Sequence, residues 1–186
     1  MRYKYSEKEL KTLLNNLVII CDTREQKSEH ILNYFDKKNK KYKIETLKQG
    51  DYSCYIESNE ETKPLGVLRD WHFDTEIVIE RKNSIDELVQ SFKDRDRFSD
   101  EFNRINKYNI KPFMFVEDEK GYENMIRGNF RSKYSPTSLL ATFETFIARF
   151  SLNIMFVNKD FMGFKIYQTC YYHLSEILKN KGFIDE

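Results

Sequence analysis

Three short apolar runs set the terms on which this chain can fold. Leu17-Val18-Ile19-Ile20-Cys21 runs unbroken into Asp22, Ile77-Val78-Ile79 into Glu80-Arg81-Lys82, and Phe113-Met114-Phe115-Val116 into Glu117. Apolar runs of this length read as buried strands, and strands buried on both faces need helices above and below the sheet. The intervening stretches supply them. Ser6 and Glu9 form a capping-box pattern that opens a helix to about Asn16. Ile31, Tyr34 and Phe35 place a second helix from about Gln26 to Lys38. Ser84 and Glu87 open another, with Ile85, Leu88, Val89 and Phe92 on one face. Phe98, Phe102 and Ile105 mark the next, and the periodic apolar residues of 139–150 and 166–178 mark two more. Tyr42 to Leu47, Asp51 to Ile56 and Asn153 to Val157 read as further strands. Residues 57–75, with Pro64 and Gly66, read as a long, partly extended hairpin tip. The expected architecture is α/β, a central mixed sheet flanked by helices on both faces. One domain is expected over 17–186, with the N-terminal helix within 1–16 packed on it.

Composition narrows the function classes. Of the 186 residues 40% are hydrophobic and 33% charged, enough for a core and against a disordered chain. A net charge of +1 gives no general basic field, so affinity for nucleic acid must rest on local sites. No apolar stretch approaches the ~20 residues of a membrane span, and Met1 to Tyr5 lead into charged sequence rather than a signal peptide. Cys21, Cys54 and Cys170 lack metal-ligand spacing and suit free thiols in a cytoplasmic protein. No Gly-rich phosphate loop follows a strand, which disfavours a nucleotide-binding enzyme and any small-molecule cofactor.

The chemistry concentrates at strand ends. Side chains alternate along a strand, so Glu80 and Lys82 share one face while Arg81 joins Ile77 and Ile79 on the other. If Asp51 to Ile56 pairs with Glu76 to Lys82, Asp51 comes level with Glu80 and Lys82. Two carboxylates and an ammonium are costly to desolvate there without a partner. Mg²⁺ with phosphate oxygens is such a partner, because that ion takes one or two carboxylates and keeps several waters.

Gly50-Asp51, Glu80-Arg81-Lys82 and Asp86 spell GD…ERKxxxD, preceded by Asp22-Thr23-Arg24-Glu25 and followed by Arg97-Phe98 and Glu101. In this order the elements resemble the nuclease domain of the XPF family, within the PD-(D/E)XK nuclease superfamily. The likeness covers roughly Leu17 to Leu178. It implies a restriction-endonuclease-like fold and a metal-dependent DNA endonuclease using Mg²⁺ or Mn²⁺ on flap or fork DNA in repair or recombination. It implies Asp22, Asp51, Glu80 and Lys82 as catalytic residues, with Asp22, Asp51 and Glu80 holding the metal. Arg24, Glu25, Arg81, Asp86 and Arg97 become supporting residues, Arg95 being a rival to Arg97, and a homodimer is expected. The family often carries a helix-hairpin-helix module after this domain, which the sequence to Glu186 is expected to lack, as in compact members from phages and mobile elements. A catalytically silent DNA-binding subunit and a restriction-type nuclease on plain duplex are the alternatives.

Weaker signals surround this set. Arg127, Arg131 and Lys133, interleaved with Phe130 and Tyr134, suit contact with a DNA strand. The lysines of 37–43 suit either DNA or solvent. Trp71, His72 and Phe73 suit either a wedge against DNA or packing on the sheet. The three histidines show no ligand spacing.

Overall fold

A computed structural model describes residues 2–181, 183 and 184, with side chains from 4 to 180. In chain order the elements are β1 (Arg2–Tyr3), α1 (Glu7–Asn15), β2 (Leu17–Cys21), α2 (Glu29–Lys37), β3 (Lys41–Ile44), β4 (Tyr52–Ile56), β5 (Trp71–His72) and β6 (Ile77–Lys82). They continue as α3 (Ile85–Lys93), α4 (Arg95–Lys107), β7 (Lys111–Val116), α5 (Gly121–Arg127), α6 (Pro136–Phe150), β8 (Asn153–Phe156), α7 (Met162–Lys181) and β9 (Phe183–Ile184).

The main sheet runs β3-β2-β4-β6-β7-β8, with β5 added beside β4, while β1 and β9 form a separate pair. β2 and β3 are parallel, as are β6, β7 and β8; β4 is antiparallel to both β2 and β6. The sheet is therefore mixed, and helices cover both faces. On one face α1, α2 and α7 bury Leu13, Phe35, Ile166 and Leu174 against Ile19, Cys54, Ile77 and Ile79. On the other, α3, α4, α5 and α6 bury Leu88, Phe102, Met125 and Phe146 against Val78, Met114 and Val116. Neighbouring residues of β6 thus enter opposite cores, as the period of 2 along a strand requires.

Local chemistry sets the ends of the helices. The Ser6 hydroxyl accepts from Glu9 N–H while the Glu9 carboxylate accepts from Ser6 N–H, completing the capping box of α1. In α3 the Ser84 hydroxyl caps Glu87 N–H, but the Glu87 carboxylate reaches one residue further back, to Asn83 N–H at 2.8 Å. Several boundaries differ from the sequence reading by one residue, and two by more. α2 starts at Glu29 rather than Gln26, because Lys27 takes φ 57°, a left-handed conformation that a right-handed helix excludes. β3 ends at Ile44, short of Leu47, whose N–H donates to Asp22 instead of to a strand.

Residues 57–75 are not an extended hairpin tip. The stretch folds through a short 3-10 turn at Lys63–Leu65 and returns as β5 against β4. Phe73 is buried and Trp71 packs beside it at 4.9 Å between ring centroids, while His72 stacks on Tyr55. These rings therefore pack on the sheet, Phe73 buried, Trp71 half-buried and His72 exposed. α5 is a helix in a stretch to which the sequence reading assigns no element.

Candidate active site

Gly50 turns the chain from the β3–β4 connection into β4, at φ 71°. A β-carbon there would lie 3.1 Å from Val78 Cβ and 3.2 Å from Ile79 O, so the backbone passes close over β6. That approach lets Asp51 N–H donate to Ile79 O at 2.9 Å. Asp51 Oδ2 in turn accepts from the Arg81 backbone N–H at 2.7 Å. The β4–β6 register, Tyr52 opposite Ile79, brings Asp51 level with Glu80 and Lys82, the arrangement that the hairpin argument expects.

Glu80 and Lys82 point to the α3–α4 side of β6. Lys82 Nζ donates to Glu80 Oε1 at 2.6 Å and stands over the Phe98 ring at 5.3 Å from its centroid. Both side chains are largely buried, at 9% exposure for Lys82 and 12% for Glu80. Burial works against the Lys82 ammonium, yet Glu80, Asp51 and Glu87 outweigh it and hold the group charged above its ordinary range. Burial, then the charges of Glu80 and Glu25, push the Asp51 carboxyl well above the usual carboxylate range. Together with Arg24, Glu25, Gln26, Lys27, Arg81 and Glu87 these groups line a polar cleft of about 270 Å³.

Arg81 points the other way. Its Nε and Nη2 lie 2.5 Å from Glu25 Oε1, Nη2 donates to Gln26 O at 2.7 Å, and Nη1 lies 3.0 Å from Glu117 Oε1. His30 Nε2 sits 2.6 Å from the same Glu117 oxygen. Glu25, Arg81 and Glu117 are nearly buried, so this network holds the ends of β2, β6 and β7 together beneath the cleft. Breaking a buried pair leaves an uncompensated charge, which makes such a network rigid.

The sequence-predicted residues divide. Asp51, Glu80, Lys82, Arg24, Glu25 and Arg81 meet at the cleft. Asp22 lies just below it, buried at 3% exposure, and both its oxygens are engaged. Oδ1 accepts from Arg24 N–H and Nε, and Oδ2 from Arg24 Nη2 and Leu47 N–H. These bonds outweigh burial and hold its carboxyl below the usual range. Asp86 faces away, with Oδ1 accepting from Arg131 N–H at 2.6 Å, and its neighbour Glu87 lines the cleft instead. Arg97 pairs with Asp94 at 2.7 Å on the exposed face of α4. Arg127 pairs with Glu123, and Arg131 and Lys133 are exposed beyond α5. Of the lysines of 37–43, Lys41 pairs with Glu57, Lys43 with Glu45, and Lys40 covers the Tyr167 ring.

Glu101 is the residue that sequence reasoning leaves as part of the α4 pattern. Burial and the nearby charge of Glu80 push its carboxyl up to about 7, against the pull of Lys82, Arg104 and Arg97. Its signal in the sequence is its place one turn after Phe98, the ring under Lys82, within the Arg97-Phe98 and Glu101 element of the family pattern. His30 and Glu117 carry no local signal at all.

Among the described residues no three His, Cys, Asp or Glu side chains gather as a metal cluster, and Asp22, with its oxygens engaged by Arg24 and Leu47, is not among the residues that line the cleft. Asp51 and Glu80 each use one oxygen, on Arg81 N–H and Lys82 Nζ respectively. Two carboxylates with a spare oxygen each, on one face beside a charged lysine, are a donor set that fits Mg²⁺ or Mn²⁺ completed by water and phosphate.

Known structures share this arrangement of elements. XPF from Aeropyrum pernix superimposes with a TM-score of 0.57 at 17% identity, over 83% of this chain and 65% of that one. XPF from Aeropyrum pernix in complex with DNA gives 0.52 at 18% identity, over 87% and 62%. The chain thus spans under two thirds of the length of either. A search of curated proteins by sequence finds no match. The profile of the ERCC4 domain matches residues 21–164, a span that holds every residue lining the cleft and the whole α3–α6 layer, and the chain belongs to the ERCC4 domain family.

Proposed function

We propose that the chain is a metal-dependent DNA endonuclease that hydrolyses phosphodiester bonds in the cleft between the β2–α2 loop, the Gly50–Asp51 turn, β6 and the start of α3. The observation that carries this reading is the bond from Arg81 N–H to Asp51 Oδ2, which sets Asp51 beside the Glu80–Lys82 pair. Asp51 and Glu80 hold the ion. Mg²⁺ or Mn²⁺ there supplies Lewis acidity toward a phosphate oxygen. Lys82, kept charged by its carboxylate neighbours, donates to the non-bridging oxygens as charge develops on them. Arg24, 66% exposed and anchored by Asp22, meets the incoming strand at the cleft mouth. Asp22 positions that guanidinium and does not hold the ion. Arg131 and Lys133, exposed beyond α5, extend the contact along the strand, and Asp86 fixes their loop.

Branched DNA of flap or fork type is the proposed substrate, in repair or recombination. A second copy of the chain is the proposed partner, through the exposed Phe161, Phe164 and Tyr172 at α7 and Met155 on β8. The three buried free thiols support a reducing, cytoplasmic setting, where burial holds Cys21 up at about 12 and unreactive. Among the described residues no helix is long and apolar enough to cross a membrane.

The test is cleavage of flap, fork and plain duplex DNA with Mg²⁺ or Mn²⁺. Flap and fork are cut first, and Asp51→Ala or Glu80→Ala reduces the rate by about a hundredfold or more, on the scale of losing one electrostatic contact to the transition state. Cleavage that survives either substitution sinks the site assignment. DNA affinity without cleavage under any divalent ion supports a silent subunit, and equal cutting of plain duplex a restriction-type enzyme.

A further inference from the structure

Beside the cleft lies a second pocket of about 310 Å³, lined by Lys48, Gln49, Asp74, Arg104, Tyr108 and Ile110. Gln49 is two residues before Asp51, so one wall is continuous with a wall of the cleft, and Arg104 on the other wall is one turn of α4 beyond Glu101, whose carboxyl senses the charge of Glu80. The lining has three kinds of chemistry. Tyr108, on the helix-terminal turn, leaves 63% of its surface exposed, while Ile110 is buried as an apolar base. Lys48 and Arg104 are exposed cations, and no ion pair among the described residues uses either. Gln49 carries a buried Oε1 that receives no hydrogen bond. With the Asp74 carboxylate this brings two acceptors, an exposed aromatic ring and two exposed cations around one pocket.

A ligand that satisfies this set has an anion at one end and a flat ring bearing N–H donors at the other. A nucleotide has that form. Inside a duplex both faces of a base are covered by its neighbours and its donors are paired, so only an unpaired nucleotide can stack on Tyr108 and donate to Gln49. We propose that this pocket seats one unpaired nucleotide of the DNA strand entering the cleft. Its base stacks on Tyr108, its amino or imino group donates to Gln49 Oε1, and its phosphate meets Lys48 and Arg104. The strand's identity rests on the nuclease reading; the pocket would then give preference for a substrate with a single-stranded arm beside the cut.

The experiment uses the full chain with fork DNA in chelator, so that binding is read without cleavage. 2-Aminopurine is placed in turn at each unpaired position next to the junction. Stacking quenches its fluorescence at one position in the wild type and in Tyr108→Phe. In Tyr108→Ala the quench is lost and affinity falls about tenfold, with an unchanged Tm. Arg104→Gln lowers the slope of log affinity against log salt by about one. A quench that persists in Tyr108→Ala, no quench at any position, or displacement of the strand by an equal concentration of free dAMP overturns the proposal. Cleavage of fork DNA by the same preparation with Mn²⁺ separates the two readings. Cutting without the Tyr108 signal removes only the pocket, and neither cutting nor binding removes both.

Discussion

Glu101 shows how a single carboxyl is governed by what lies across from it. Its carboxyl is raised from 4.5 to about 7, first by burial and then by Glu80. In the unfolded chain it ionises at the lower value, so between the two values the folded state binds more protons, and this residue's contribution to stability falls as pH rises. In chelator, Glu101→Gln is therefore expected to melt at nearly the wild-type temperature at pH 4 and progressively above it from pH 4.5 through about 7, with the difference constant beyond. A gap that stays flat across this window, followed by circular dichroism, contradicts the placement. The division of labour along Glu80-Arg81-Lys82 was legible in the sequence, because alternation is a local rule. The partners of these residues were less so. Glu117 reaches Arg81 from the end of β7 and is itself met by His30 of α2, and no spacing in the chain encodes that meeting. Asp22 was legible as an acid at a strand end, but not as one whose oxygens are consumed by Arg24 and Leu47.

Among the elements, the approach of the Gly50 turn to β6 does most to fix the site. Gly50→Ala forces a β-carbon into a left-handed residue and against Val78 and the Ile79 carbonyl. The conformational part alone costs about 1–2 kcal/mol. The midpoint of urea unfolding is expected to drop accordingly, and cleavage to fall further than stability does, because Asp51 is the next residue. Equal losses in both would show the turn to be structural only. The long elements declared themselves in sequence: β2, β6 and β7 as apolar runs, and α3, α4 and α6 by their period. Short ones did not. β5 is two residues long and exists because β4 offers it an edge, and α5 has seven residues with only Gly121 and Met125 buried. Neither has enough residues for a period to show.

At the scale of the whole molecule, two large cores and a small cluster of Val18, Ile20, Leu47 and Tyr55 share one sheet, and β6 belongs to both large ones. α7 covers the β2–β4–β6 part of its face, while Phe161, Phe164, Tyr172 and Met155 are exposed, Phe164 and Tyr172 sharing a groove with Phe113 of β7. Clusters of exposed large apolar residues are uncommon on monomers. If the chain pairs there, light scattering gives twice the monomer mass of 22.5 kDa. Phe164→Glu, placing a charge at 46% exposure on that patch, then returns the monomer with its fold intact. A wild type that stays monomeric at high concentration removes the pairing. The mooring of Asp51 has a different kind of durability. What grips its oxygen is a peptide nitrogen, present whatever side chain residue 81 carries. Drift at that position would first loosen the ionic joint beneath the sheet and leave the carboxylate berthed; among the common amino acids only proline, which brings no N–H, would cast it off directly.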